Sequence, residues 1–219
     1  MKFAVIVFPG SNCDHDAYYV IKKHLGINVE FVWHQDSDLK AYDGIIIPGG
    51  FSYGDYLRAG AIARFSKVMD SIKNHADKGK AIIGICNGFQ ILVESALLPG
   101  ALITNDSTSF ISKSINLKVV NNNSLFTTQY KKNDKIRMPI AHKQGNYFAD
   151  KILLKELKDN DQIAFQYIDN PNGSCFDIAG IFNKNKNILG MMPHPERASE
   201  TLLGSQDGIK IFESMISNI

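Results

Sequence analysis

Apolar positions along the chain fall into short runs rich in valine and isoleucine, with stretches of helical spacing between them. Residues 3–8 (FAVIVF), 28–33 (NVEFVW), 44–48 (GIIIP) and 81–85 (AIIGI) read as strands. Continuous apolar runs of this length are expected where both faces of a parallel sheet are covered. Asn12 is placed to cap a helix that carries Asp14 and Asp16 at its positive end and stops near Gly26. Ile62, Phe65, Met69, Ile72 and Ala76 share one helical face and predict a helix over 62–76 that packs on the sheet.

Beyond about residue 100 the pattern changes. Short strand-like runs at 115–120, 162–168, 177–182 and 187–192 are separated by Asn, Asp, Gly and Pro, which predicts antiparallel additions. Residues 121–135 (NNNSLFTTQYKKNDK) read as a solvated loop or hairpin. A last amphipathic helix over 206–216 turns Ile209, Phe212, Met215 and Ile216 inward. The expected fold is therefore α/β: an open, mostly parallel sheet flanked by helices, with additional antiparallel strands in the C-terminal half. No repeat or long linker divides the chain, so residues 1–219 are expected to form a single domain.

Composition narrows the classes of function. Lys plus Arg total 24 against 22 for Asp plus Glu, a net charge of +2 spread along the chain, which gives nucleic acid and anionic membranes no electrostatic footing. The opening MKFAVIVFPG lacks a small-residue cleavage site and reads as a buried strand instead of a signal peptide. No apolar stretch is long enough to span a bilayer. Three cysteines without CxxC spacing suggest neither a disulfide framework nor a metal site, and a reducing cytoplasm is the expected compartment.

The strongest chemical signal is Gly84-Ile85-Cys86-Asn87-Gly88, where a strand ends and a helix over 87–95 begins. This is a G-x-nucleophile-x-G elbow with cysteine at its centre. A thiol at a helix N-terminus sees the positive end of the dipole, which favours the reactive thiolate. A cysteine after a strand is, however, often simply part of the core. The second signal is Met192-Pro193-His194-Pro195-Glu196-Arg197. Each proline forces the residue before it out of the helical region, so His194 is expected to be extended, with Glu196 on the same side and able to orient its ring. In isolation this could be a rigid surface turn with a solvated His–Glu pair. Together with Cys86, it supplies nucleophile, base and orienting carboxylate.

Pro48-Gly49-Gly50-Phe51 follows the strand 44–48 and so reaches the same carboxyl edge of the sheet. The backbone N–H groups of Gly50 and Asn87 are the candidate oxyanion donors. Cys13 is read as structural, because Asp14 disfavours its thiolate and no elbow surrounds it; Arg197 is read as solvated or facing a partner.

These residues resemble the class I glutamine amidotransferases, whose pattern joins a glycine loop, a G-x-C-x-G elbow followed by Gln (here Gln90), and a late H-x-E. More narrowly, PGGFSYGDYLRAGAIA (48–63), GICNGFQIL (84–92), LLPGAL (97–102), RMPIAH (137–142), NPNGS (170–174), IAGIFN (178–183) and LGMMPHPERA (189–198) are similar to the glutaminase subunits of phosphoribosylformylglycinamidine synthase. Two stretches depart from that pattern: Lys143-Gln144 stands where Gly-Glu is common, and Phe110–Lys113 lacks an expected cysteine and arginine.

The resemblance implies a Cys86–His194–Glu196 triad that hydrolyses glutamine through a glutamyl thioester, with Gly49, Phe51, Gln90 and His142 at the glutamine pocket. It also implies a synthetase partner that carries ATP and magnesium, together with a small accessory subunit; no cofactor is expected on this chain, which has no G-x-x-x-x-G-K-[ST] phosphate loop. An amidotransferase serving another synthetase, a cysteine hydrolase on a related fold, or a non-turning binding or redox module would share parts of this pattern.

Overall fold

The computed structural model describes residues 1–219. Strands β1 (Lys2–Val7), β2 (Asn28–Trp33), β3 (Gly44–Ile47) and β4 (Ala81–Ile85) form in the N-terminal part of the chain. They are followed by β5 (Ala101–Ile103), β6 (Ile111–Val119), β7 (Lys135–His142), β8 (Asn146–Phe148), β9 (Ile163–Tyr167), β10 (Ile178–Phe182) and β11 (Ile188–Met191). The helices are α1 (Asp14–Tyr19), α2 (Val68–Asp77), α3 (Asn87–Glu94), α4 (Lys151–Asp159) and α5 (Ile209–Ser217).

Nine strands make one sheet in the order β2-β1-β3-β4-β11-β10-β9-β6-β7, and β5 pairs with β8 separately. The five strands from β2 to β11 are mutually parallel, and every pairing beyond β11 is antiparallel. Alternating from β11, strands β9 and β7 run with the parallel set, and only β10 and β6 oppose it. The mostly parallel sheet with antiparallel additions in the C-terminal half is thus observed, with one correction: the run 187–192, expected among the additions, forms β11 and joins the parallel set beside β4. Every residue of β3 and β4 is buried, as expected for strands covered on both faces.

Two pairings position the chemistry. β4 lies between β3 and β11, with Ile85 opposite Met191, so the carboxyl ends of these strands emerge side by side. The Cys86 N–H continues the ladder by donating to the Met191 carbonyl at 2.8 Å. β7 is the far edge of the sheet, yet it curls back over this end: the His194 N–H donates to the Pro139 carbonyl at 2.9 Å. Strand twist accumulated across the antiparallel half makes that return possible.

Several expectations need correction. The cap of α1 is Cys13, with no side-chain capping bond, and Asn12 only accepts a hydrogen bond from the Cys13 thiol at 3.2 Å. The helix expected over 62–76 is broken. A short turn at Ala63–Phe65 ends at Ser66, whose ψ is 144°, and α2 starts afresh at Val68. The break rotates Phe65 to solvent, where it is 74% exposed under the Arg64 guanidinium, and Val68 takes a buried place with Met69, Ile72 and Ala76. Segment 121–135 is not merely solvated: Phe126, Thr127 and Tyr130 are buried, and the Phe126 ring stacks on Phe182. Helix α4 has no counterpart among the expected elements. It is capped by Asp150, whose carboxylate accepts the Leu153 N–H at 2.8 Å, and it buries Leu154 and Leu157. In α5 the deeply buried residues are Ile211, Phe212, Ser214 and Met215, while Ile209 and Ile216 are only partly covered.

Candidate active site

Cys86 has φ 51° and ψ −104°, a left-handed backbone that costs a non-glycine residue about 1–3 kcal/mol. The surroundings enforce it. A Cβ on Gly88 would stand 1.9 Å from the Ile47 carbonyl oxygen, so α3 can lie this close to β3 only with glycine there. The chain therefore turns sharply between β4 and α3, and the Cys86 thiol is carried to the carboxyl edge beside the Ala141 carbonyl, at 3.5 Å.

On the adjacent strand end, His194 Nδ1 and Glu196 Oε1 are 2.6 Å apart, and both residues are 2% exposed. His194 is extended as expected (φ −99°, ψ 92°). Glu196 is not: it sits in a 3₁₀ turn at Pro195–Arg197, and it is this turn that brings the carboxylate back to the ring. Burial disfavours the imidazolium, but the Glu196 carboxylate, with Cys86 and Cys13 nearby, outweighs it and holds the His194 pKa well above the usual histidine range. Nε2 makes no aligned hydrogen bond, and the thiols of Cys86 and Cys13 flank it.

The place of Cys13 was not legible in the sequence. The register of the 10–13 segment against the glycine loop, with the Cys13 N–H donating to the Gly49 carbonyl at 3.3 Å, inserts this buried thiol beside His194. Arg197 is half-buried instead of solvated; its guanidinium donates to Asp16 at 3.0 Å and to the Cys13 sulfur at 3.3 Å. Cys175, in a turn at 175–177, does not line the cleft.

Gly50 has φ 139°, and a Cβ there would meet the Asn12 nitrogen at 2.7 Å. Bonds from the Cys13 N–H to the Gly49 carbonyl and from the Phe51 N–H to the Gly10 carbonyl pin the loop on either side, and the Gly50 N–H is left without a partner within the protein. The Asn87 N–H lies in the first turn of α3, where helix geometry supplies no acceptor. The Asn87 side chain ties the two segments together: it accepts the Ser52 N–H at 3.1 Å and donates to Gln90 Oε1 at 2.9 Å.

A cleft of about 230 Å³ opens at Cys86, lined on this side by Gly50, Phe51, Gln90, Phe110, Ala141 and His142. Of the residues expected at the pocket, Phe51, Gln90 and His142 line it directly, and Gly49 packs behind it against His194 and Cys86. Gln90 is engaged at both ends, accepting from Asn87 and donating to the Gln144 carbonyl at 2.6 Å. His142 Nδ1 is 3.1 Å from Asn105 Oδ1; burial, with His194 nearby, lowers its pKa to about 4, so it is neutral at pH 7. Asp55, Lys143, Gln144 and Phe110 also line the cleft. The only sequence signal for them was membership of segments that match, or depart from, the family pattern.

The profile of the CobB/CobQ-like glutamine amidotransferase domain matches residues 1–215. The chain belongs to this family. A PurLQS structure from Thermotoga maritima is 46% identical over 99% of this chain and 97% of that one, with a TM-score of 0.91. Two more distant structures share the amidotransferase fold. A glutamine amidotransferase from Thermotoga maritima is 14% identical over 99% and 96% of the two chains (TM-score 0.64). The glutaminase domain of Trypanosoma brucei CTPS, with bound acivicin, is 13% identical over 100% and 95% (TM-score 0.63). No helix of this amidotransferase is long and apolar enough to cross a membrane.

Proposed function

We propose that this amidotransferase is the glutaminase subunit of phosphoribosylformylglycinamidine synthase, with Cys86, His194 and Glu196 as its triad. The observation that carries the reading is the strained Cys86 elbow facing a buried His194–Glu196 pair in one cleft. The 46% identity to a chain of PurLQS supports the narrower assignment.

In this mechanism Cys86 Sγ attacks the side-chain amide carbon of glutamine. The carbonyl oxygen becomes an oxyanion received by the N–H groups of Gly50 and Asn87. His194, kept protonated by Glu196, gives its proton to the departing ammonia, and a glutamyl thioester remains on Cys86. Neutral His194 then takes a proton from water, the hydroxide adds to the thioester carbon, and collapse expels the Cys86 thiolate and frees glutamate. Ammonia passes to a synthetase partner that uses ATP and magnesium to convert formylglycinamide ribonucleotide to formylglycinamidine ribonucleotide, in a complex with a small accessory subunit.

The test is glutamate release from glutamine by wild type and Cys86→Ala, each with and without the formylglycinamide ribonucleotide synthetase subunit. Release by wild type alone, stimulated by that partner, is the expected result. Equal activity in the Ala variant would overturn the nucleophile, and stimulation only by another synthetase would overturn the pathway.

A further inference from the structure

The cleft beside Cys86 has one acidic and one basic residue in its lining, Asp55 and Lys143. Its other titratable side chain besides Cys86, His142, is held neutral. Neither charged group has an ionic partner within the protein. Asp55 makes only a long contact, 3.4 Å from Asn87 Nδ2, and Lys143 forms no salt bridge. Asp55 is half-buried in a left-handed turn (φ 55°), and burial pushes its carboxyl up to about 6, as happens to an acid losing water without gaining a cation.

Glutamine brings what these groups lack. With its amide carbon at Cys86, the α-carbon lies three carbon–carbon bonds away and carries one ammonium and one carboxylate. The opposite lobe of the cleft, beyond Cys86, offers a cation in Arg197, but that guanidinium is already shared between Asp16 and Cys13. We propose that Asp55 and Lys143 are the specificity residues for the α-amino acid end of the substrate, Asp55 accepting from the α-ammonium and Lys143 donating to the α-carboxylate.

This assignment rests on the glutaminase reading and explains a feature that reading leaves open. Gln90 uses one donor and one acceptor of its amide within the protein, which leaves a single N–H and one lone pair for a ligand. It holds the wall in shape, and the charges select the ligand. The Lys143-Gln144 pair, a departure from the family pattern, thereby gains a role at the cleft.

The experiment measures competitive inhibition of the holo-complex by L-glutamate, by glutarate, which lacks the ammonium, and by 4-aminobutanoate, which lacks the α-carboxylate. Wild type, Asp55→Asn and Lys143→Met are compared. Asp55→Asn is expected to raise KM for glutamine and Ki for glutamate by roughly 10–100-fold, the size of a charge-assisted hydrogen bond, and to leave glutarate unchanged. Lys143→Met is expected to weaken glutamate similarly and to spare 4-aminobutanoate. The exposed Lys143 arm remains decisive if Asp55→Asn folds poorly, and thermal melts identify that case. Equal effects on all three ligands, or wild type binding glutarate as well as glutamate, would overturn the inference. If wild type shows Cys86-dependent glutaminase activity while this pattern is missing, only the inference fails; if wild type never hydrolyses glutamine, the functional reading itself fails.

Discussion

Gly49→Ala places a single methyl group against both Cys86 and His194. A Cβ at this position would lie 2.7 Å from His194 Cε1, 3.2 Å from Cys13 Sγ and 3.4 Å from Cys86 Cβ. Ordinary contact begins at 3.4 Å, so the histidine ring must retreat by about 0.7 Å, the difference between those distances. It has few ways to do so. Nδ1 is held by Glu196 at 2.6 Å, the backbone N–H is bonded to Pro139, and the side chain is buried. A displacement near 1 Å at reacting groups can cost about 10²-fold, so kcat for glutamate release is expected to fall roughly 10–100-fold. The accompanying strain is expected to cost about 1–3 kcal/mol of stability. Glutamate release by the partner-bound complex reads the first effect, and chemical denaturation reads the second. A variant with unchanged turnover and unchanged stability would refute the argument, because it would show that the loop yields freely and does not set the Cys86–His194 spacing.

Glu196→Gln removes the charge that keeps His194 protonated. We expect kcat to fall by about 10²–10⁴-fold and the alkaline limb of the pH–rate profile to move to lower pH, since the folded His194 pKa drops; an unmoved limb would exclude Glu196 as the orienting group. Phe126→Ala should cost about 3–5 kcal/mol in urea or guanidinium unfolding, because the ring is fully buried against Phe182, and a loss below 1 kcal/mol would mean that segment 121–135 does not join the core in solution. His75 is buried, and desolvation, with Lys80 and Lys78 adding to it, lowers its pKa to about 4. Between about pH 6.5 and 4 the unfolded chain therefore binds the extra proton, so stability falls with falling pH across that window, by on the order of 1–3 kcal/mol, and levels off below it. Unfolding free energies of wild type and His75→Gln over pH 4–7 should converge at the acid end, and parallel curves would remove His75 as the cause.

Most of the parallel half was legible because β1, β3 and β4 are buried almost throughout and leave Val/Ile runs in the sequence. For β2 and β4 the expected bounds match the observed ones. Errors fell where tertiary contacts override local pattern. Phe65 fits the helical periodicity, but Ser66 is drawn into bonds with the Tyr53 hydroxyl and the His34 ring, which break the helix before α2 can include it. Polar residues dominate 121–135, so nothing local reveals that Phe126 and Tyr130 are anchors among them.

The site shows the same division. The sequence alone determined which residue types stand at the elbow, the glycine loop and the H-x-E, because each is a short local pattern: a nucleophile between glycines at the end of an apolar run, and prolines that hold His194 extended. Which distant groups share the cleft was decided only by the tertiary structure. The β4–β11 register sets Cys86 beside His194, the 3₁₀ turn returns Glu196 to the ring, and the return of β7 brings Ala141 and His142 to the thiol. Cys13 enters through its backbone pairing with the glycine loop, and Asp55 through a long side-chain contact from Asn87. Such placements depend on the register and twist of strands far apart in the chain, quantities that no window of sequence contains.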